Sequence, residues 1–364
     1  MIYLRPHVKK LPDKSYEAES AMNKGNILDC ALGRNSFGTS KRVIEFASKY
    51  DSWSDLWQHP DTSYKELKHE ICKFWSKFAE LEIDNIKVAN GSCVVLSRLS
   101  KLFIGPRIKV LGYVPQFKEY MLEVKVLGGH YEALKLDPKE NFKFNTDSFL
   151  RRINQAHRVI YLDNPNNPTG QLISLNDIEK IVSVAKKKDV IVILDEAYGD
   201  YVEERHSAVN LTNKFKNLLI TRTFTKGYGV GQFRVGYAIL PVELGKLYSK
   251  IELPFSVSVM GAALAREALR DQDFVITVRE QVKVAKEKLT MELRKRGYLI
   301  GETCNSVSLF IMGHKDMNIN LKDHLLNKGI LTTSPGTDWE NLKQNWVRVN
   351  ISPQIDAFLT RLDN

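Results

Sequence analysis

Three polar clusters, each directly after a short run of β-formers, hold the residues of this chain best suited to chemistry. Asp163-Asn164-Pro165-Asn166-Asn167-Pro168-Thr169-Gly170 follows the run 158–162. Asn, Pro and Gly are turn residues on steric grounds, so the string also reads as a tight turn. Asp195-Glu196-Ala197-Tyr198 follows the run 190–194. A carboxylate at the end of a buried strand is costly unless paired or solvated, so Asp195 calls for a structural ion pair or for a cation on a ligand. The third cluster runs from Thr223 to Tyr237 and holds Thr223, Thr225, Lys226, Gly227, Gly229, Gly231 and Arg234. One lysine, two hydroxyls and an arginine among glycines make a phosphate cradle, because glycine lets backbone N–H groups approach an anion closely. The spacing is not that of a P-loop. A lysine in a glycine-rich loop can equally be a solvated one.

Strands and helices must alternate to bring these clusters together. The stretches 108–113, 158–162, 190–194 and 218–222 read as strands, and the apolar run 190–194 suits a sheet covered on both faces. The stretch 63–78 is helical by period, with Ser63 and Glu66 at capping-box spacing. The stretch 174–188 is helical too, with Ser174 and Asp177 at cap spacing and Ile178, Ile181, Val182 and Ala185 facing inward. This alternation predicts an α/β fold with a largely parallel sheet, whose ligands gather at the C-terminal ends of the strands. From Pro254 onward the texture is α+β: a long amphipathic helix over 273–296, then short β-like pieces at 306–312 and 346–351.

In order and spacing the three clusters resemble the class I/II aminotransferases, the fold-type I pyridoxal-phosphate (PLP) enzymes, and within them the histidinol-phosphate aminotransferase-like group. The resemblance runs from about Asn26 to Ile351. It implies the PLP-dependent transferase fold: a mostly parallel central sheet with helices on both faces, plus a smaller α+β domain. The implied division is a large PLP-binding domain over 40–252 and a small domain made of 1–39 and 253–364.

The resemblance also implies roles. PLP acts as an electron sink, and the protein supplies orientation and charge. Lys226 is then the lysine that forms the Schiff base and afterwards serves as general base. Asp195 pairs with the pyridine nitrogen, and Asn167 and Tyr198 hydrogen-bond the phenolic oxygen. Thr223, Thr225 and Arg234 bind the phosphate. Asn90-Gly91-Ser92-Cys93 resembles a G-S-D/E turn that opens a helix onto that phosphate, which adds Ser92 and Cys93. Cys93 replaces the usual acid and reads otherwise as a small buried apolar residue. Pro115-Gln116-Phe117-Lys118-Glu119-Tyr120 resembles P-x-Y-x-x-Y, with Phe117 as the stacking ring, or else as a core residue. Trp346-Val347-Arg348-Val349-Asn350 resembles the strand whose arginine reads a substrate carboxylate; the alternative for Arg348 is a rim salt bridge.

Departures narrow the substrate. Gly33-Arg34-Asn35-Ser36-Phe37-Gly38 resembles N-E-N-P-Y-G, which places Asn35 near substrate. In Gly329-Ile330-Leu331-Thr332-Thr333-Ser334-Pro335, Thr333 stands where relatives acting on histidinol phosphate carry an arginine, which weakens a phosphorylated substrate. His59-Pro60-Asp61 stands for Y-P-D, whose tyrosine reaches the neighbouring subunit's cofactor phosphate; His59 can donate the same bond, or sit in a surface turn. Gln232 precedes the arginine segment and offers a new polar group to the pocket.

Composition excludes other classes. The chain has 364 residues, 43% apolar and 26% charged, which is ordinary for a globular protein. Its net charge of +10 raises nucleic acid as a partner, but the cations are spread along the chain, and none is expected. Cys30, Cys72, Cys93 and Cys304 lack C-x-x-C spacing, so neither a disulfide scaffold nor a metal site is expected. No apolar run approaches the ~20 residues of a membrane span, and the N-terminus has no signal core. A cytoplasmic protein without a membrane partner follows as the expectation. The expected function is a PLP-dependent aminotransferase moving an amino group between an amino acid or amine and a 2-oxo acid. It would act in a specialised biosynthetic step, or on histidinol phosphate, as a homodimer with a shared active site. Decarboxylation, elimination or oxidation on the same fold is the alternative. A non-catalytic or nucleic-acid-binding protein is the alternative from another class, and the set of Lys226, Asp195, Tyr198 and Arg234 argues against it.

Overall fold

The computed structural model describes residues 8, 11, 26–51, 57–333 and 339–364. In chain order it begins with β1 (Leu28–Asp29), α1 (Lys41–Ser48), α2 (Lys65–Trp75), β2 (Ile86–Ala89), α3 (Ser92–Phe103), β3 (Lys109–Val114), α4 (Lys118–Val126) and β4 (His130–Lys135). There follow α5 (Thr146–Leu150), β5 (His157–Asp163), α6 (Leu175–Lys186), β6 (Ile191–Asp195), β7 (Leu218–Thr223), β8 (Gly236–Ile239), α7 (Val242–Ser249) and α8 (Val259–Leu269). The C-terminal part contains α9 (Gln272–Lys295), β9 (Leu299–Ile300), β10 (Leu309–Gly313), α10 (Leu321–Asn327), β11 (Ile330–Leu331), β12 (Trp346–Asn350) and α11 (Ile355–Asp363).

Seven strands form one sheet in the order β2-β8-β7-β6-β5-β3-β4. Every pairing from β7 to β4 is parallel, and only β8 runs against its neighbours β7 and β2. Side chains alternate across a strand, so a sheet covered on both faces needs apolar residues at every position. The central strands comply. Ile160, Leu162, Val192, Leu194, Leu218 and Ile220 pack in one core cluster, while their neighbours Val159, Tyr161, Ile193 and Leu219 pack in another. The four strands expected in this sheet are present, each within a residue of its expected ends, whereas the piece expected over 306–312 starts only at Leu309.

β2, β4 and β8 carry no clear period. β4 is an edge strand with half-exposed side chains, and β2 and β8 are four residues each, too short to show one. The capping box expected at Ser63 is absent. α2 starts at Lys65 after Tyr64, which sits at φ 47° without a side-chain cap. The Asp61 carboxylate takes the Ser63 backbone N–H (2.8 Å) and hydroxyl (2.5 Å) instead, a local bond that competes with helix capping. Ser174 does cap α6, accepting from Asp177 N at 3.1 Å, and the four expected apolar residues of that helix are buried.

β10 pairs antiparallel with β12 and β9, and the short parallel pair β1–β11 ties the N-terminal segment to this part. Leu289 and Leu293 of α9, Phe310 and Met312 of β10, Val347 and Val349 of β12 and Phe358 of α11 share its core. α8 packs against α1 and α2. Residues 1–7, 9–10 and 12–25 of the expected small domain, and Ser334 and Pro335, lie outside the described residues.

Candidate active site

β5, β6 and β7 end together. Asp163 pairs in register with Asp195, and Asp195 with Thr221, so the three polar clusters emerge at one edge of the sheet. They open onto a cavity of about 350 Å³ lined by Ser92, Cys93, Phe117, Glu119, Asp163, Pro165, Asn167, Asp195, Ala197, Tyr198, Thr223, Thr225, Lys226 and Arg234. Ten of the fourteen site residues expected from the sequence are in that lining; Asn35, His59, Gln232 and Arg348 are not.

Asp195 sits at the floor, 3% exposed. Its carboxylate accepts from Tyr161 Oη (3.1 Å), Thr221 Oγ1 (2.9 Å) and Ala197 N (3.1 Å). Burial pushes its pKa up to about 6, the Asp163 carboxylate adds to the rise, and the Thr221 and Tyr161 hydroxyls oppose it. The structural ion pair that the sequence left open belongs to its neighbour. Glu196 pairs with Arg222 at 2.6 Å, and Arg222 also reaches Asp200 at 2.9 Å. Asp195 has no lysine or arginine partner within salt-bridge distance among the described residues.

Lys226 Nζ donates to the carbonyl of Gly33 and lies 5.0 Å from the centre of the Tyr198 ring. A Cβ on Gly33 would come within 2.2 Å of Tyr198 Oη and 3.2 Å of Lys226 Nζ, so any larger residue there would displace the Tyr198 hydroxyl. Tyr198 is buried, and its hydroxyl has no hydrogen-bond partner among the described residues. An orphaned buried hydroxyl is unfavourable unless something else completes it.

The opposite end of the cavity is built for an anion. α3 starts at Ser92 after Gly91, whose φ of +84° favours glycine, and helix N-terminal N–H groups attract negative charge. Arg234, at φ 55°, points its guanidinium at Gly91: a Cβ there would meet Nη2 at 2.7 Å. The same guanidinium donates to Gly231 O (3.0 Å) and Thr225 Oγ1 (3.4 Å), and the Thr223 and Thr225 hydroxyls are 2.8 Å apart. The Cys93 side chain is accessible through the cavity, where burial raises its thiol pKa, and the Asp195 charge raises it further.

Arg348 reaches the site from the other sheet. It is 2% exposed, donates to Asn167 Oδ1 at 2.9 Å and to Ala31 O at 2.5 Å, and stacks 5.2 Å over Trp339. Its Nε has no partner among the described residues. Asn35 Nδ2 donates to Gly227 O at 2.8 Å, tying the N-terminal segment to the Lys226 loop. His59 and Gln232 are exposed; the His59 ring lies 4.7 Å from that of Phe255. Gly33, Glu119 and Asp163 line or shape the site without having been assigned a role from sequence. Strand register would have found Asp163, since it ends β5 as Asp195 ends β6. Gly33 carries no local signal.

No group of three or more His, Cys, Asp or Glu residues able to hold a metal occurs among the described residues, and no described helix is long and apolar enough to cross a membrane.

The family model "Aminotransferase class I and II" matches residues 26–362. A histidinol-phosphate aminotransferase of Methanococcus maripaludis strain C6 is 29% identical over 347 residues, 94% of this chain and 91% of the relative. The crystal structure of histidinol-phosphate aminotransferase from Sinorhizobium meliloti in complex with pyridoxal-5'-phosphate superposes with a TM-score of 0.84 at 19% identity, covering 99% of this chain and 95% of that one. A double mutant of Thermus thermophilus aspartate aminotransferase gives a TM-score of 0.85 at 20% identity, covering 100% and 98%. These superpositions establish the fold, a fold-type I arrangement of a mostly parallel sheet between helices.

Proposed function

The chain belongs to the class I and II aminotransferase family, and from that premise we propose how its residues carry out PLP-dependent transfer of an amino group. It is a PLP-dependent aminotransferase, acting between an amino donor and an oxo acid. The observation that carries the assignment of roles is the orphaned buried Tyr198 Oη in the cavity that also holds the buried Asp195 and the Lys226 amine.

The residues fit the cofactor. When bound, PLP would supply an electron sink. Lys226 would provide the amine that holds it and, at Nζ, the base for the substrate Cα proton. Asp195 would hold the proton on the ring nitrogen. Tyr198 Oη, which lacks a partner of its own among the described residues, would donate to the phenolic oxygen, as would Asn167. Ser92, Thr223, Thr225 and Arg234 hold the phosphate at the N-terminus of α3. Phe117 would stack on the ring, and Cys93 would stand with Ser92 in the turn that meets the phosphate. Arg348 reads the substrate carboxylate as a planar fork, while Asn35 and Gln232 border the substrate.

For the substrate we favour an amino acid or amine without a phosphate. Thr333 offers no cation and donates to the Arg348 carbonyl (3.3 Å). Histidinol phosphate is the second reading, favoured by the names of relatives such as that of M. maripaludis. We assign 40–252 as the PLP-binding domain, which contains the seven-stranded sheet, and 1–39 with 253–364 as the small domain; α8 leans on the former. A homodimer sharing its sites, with His59 reaching the partner's phosphate, is supported by the exposed Phe255, whose ring lies 4.7 Å from that of the exposed His59.

The test is spectroscopic. Wild type should show visible cofactor absorbance that borohydride fixes, and Lys226→Ala should lack it together with amino transfer. A Lys226→Ala protein with full activity would remove the assignment. Screening donors by conversion of the bound cofactor to its amine form separates the two substrate readings: turnover with histidinol phosphate alone favours the second.

A further inference from the structure

Asp163 closes β5 as Asp195 closes β6, and the two are register partners on adjacent parallel strands. Both are 3% exposed and both line the cavity. Neither function nor fold has so far required the Asp163 charge. Five donors surround it. Tyr113 Oη (3.0 Å), Gln116 Nε2 (2.9 Å) and Asn166 Nδ2 (3.0 Å) bond Oδ1, and the backbone N–H groups of Asn167 (2.9 Å) and Phe117 (3.4 Å) face Oδ2. The ionised, acceptor-only form takes all five bonds, and four of these donors, Asn167, Asn166, Gln116 and Tyr113, oppose the rise that burial imposes on the Asp163 carboxyl.

We propose that Asp163 is a second carboxylate of the cofactor site, a positioning residue whose negative charge raises the proton affinity of Asp195 and, through it, of the ring nitrogen that Asp195 faces. The inference rests on the Asp195 reading given above. The other titratable groups around the pair leave this role to Asp163. Tyr113 of β3, Tyr131 of β4 and Tyr161 of β5 are held neutral, because burial pushes each phenol well above its ordinary value. Cys93 of α3 is raised by burial as well, and Lys226, in the loop after β7, and Arg234 are the basic residues of the lining. Glu119 of α4 lines the same cavity and is the remaining acid. The rise at Asp195 has the Asp163 charge as its second raising cause after burial. The same carboxylate also anchors the backbones of Phe117 and Asn167, which places ring cover, phenolic-oxygen partner and ring-nitrogen partner on one hub.

The experiment uses holoenzyme reconstituted with PLP labelled with nitrogen-15 in the ring, whose shift reports ring-nitrogen protonation directly. In Asp163→Asn the ring nitrogen should lose its proton about one pH unit lower than in wild type. Tyr113→Phe removes one donor and leaves the Asp163 charge less screened, so the titration should move the opposite way by less. This second variant carries the test if Asp163→Asn does not fold. Asp195→Asn should produce the largest change. If Asp195→Asn leaves the titration unmoved, the Asp195 reading fails, and this inference with it. If Asp195→Asn moves it while the Asp163→Asn and Tyr113→Phe proteins that fold titrate as wild type, the inference alone is overturned.

Discussion

Asp195 shows how a single residue gains its properties from its neighbours. Its carboxyl is lifted from 3.8 to about 6, first by burial. A group whose folded pKa is raised contributes stability below its unfolded pKa and loses it as pH rises through the folded value. For the cofactor-free chain the window is therefore between about pH 4 and pH 6, and a two-unit shift corresponds to about 3 kcal/mol. Wild type without cofactor should lose that much relative to Asp195→Asn between pH 4 and pH 7, read by chemical denaturation at both values. Equal pH slopes in the two proteins would contradict it. Cofactor should reverse the sense, because a protonated ring nitrogen favours the ionised carboxylate. At this scale the residue types at Lys226, Asp195, Tyr198 and Arg234 were legible in the sequence. The partners Tyr161, Thr221 and Asp163 were not, since each lies more than twenty residues away from Asp195 and meets it only across the sheet.

The elements deliver the site through their ends. Three parallel strands stop in register, and α3 starts opposite them. The turn before α3 is the point of closest approach. Gly91 combines a φ of +84° with a guanidinium 2.7 Å from where a Cβ would sit. Gly91→Ala should therefore weaken PLP binding at least tenfold, an effect of about 1.4 kcal/mol for a strained turn and a displaced Arg234, measured by titrating the cofactor-free protein. Unchanged affinity would mean that Arg234 does not serve the phosphate. The strands themselves were readable, because a sheet buried on both faces demands uninterrupted apolar runs. The start of α2 was not: Ser63 and Glu66 have the right spacing, but Asp61 captures the serine first. Two local bonds of similar strength competed there, and spacing alone does not rank them.

Across the whole molecule, a buried lysine ties α9 to the segment that leads into β10, and burial pulls its amine down to about 7. Lys286 of α9 is fully buried, and its Nζ reaches Thr303 Oγ1 (2.6 Å), Cys304 O (2.7 Å), Val307 O (3.0 Å) and Leu309 O (2.8 Å). Cys304 N in turn donates to Gly170 O at 2.9 Å, at the end of the turn that presents Asn167. Replacing Lys286 by Met keeps the volume but strands those carbonyls, so Lys286→Met should cost about 3 kcal/mol or more, seen as a lower denaturation midpoint with the cofactor absorbance retained. Helical period alone places Val275, Val278, Val282, Ala285, Leu289 and Leu293 inward; five are buried and Ala285 is half-buried. It gave no reason to bury Lys286, because a lysine on an apolar face is favourable only where carbonyls from a distant segment converge on it. The sequence by itself determined the α/β alternation, the order of the polar clusters and the chemistry those clusters could support, since these follow from local period, turn residues and side-chain type. Only the tertiary structure decided that Asp163 stands beside Asp195, that Arg348 touches Asn167 and that Gly33 closes against Tyr198. Those contacts join residues 32 to 181 positions apart, and strand register and sheet-to-sheet packing, which no local pattern encodes, are what bring them together.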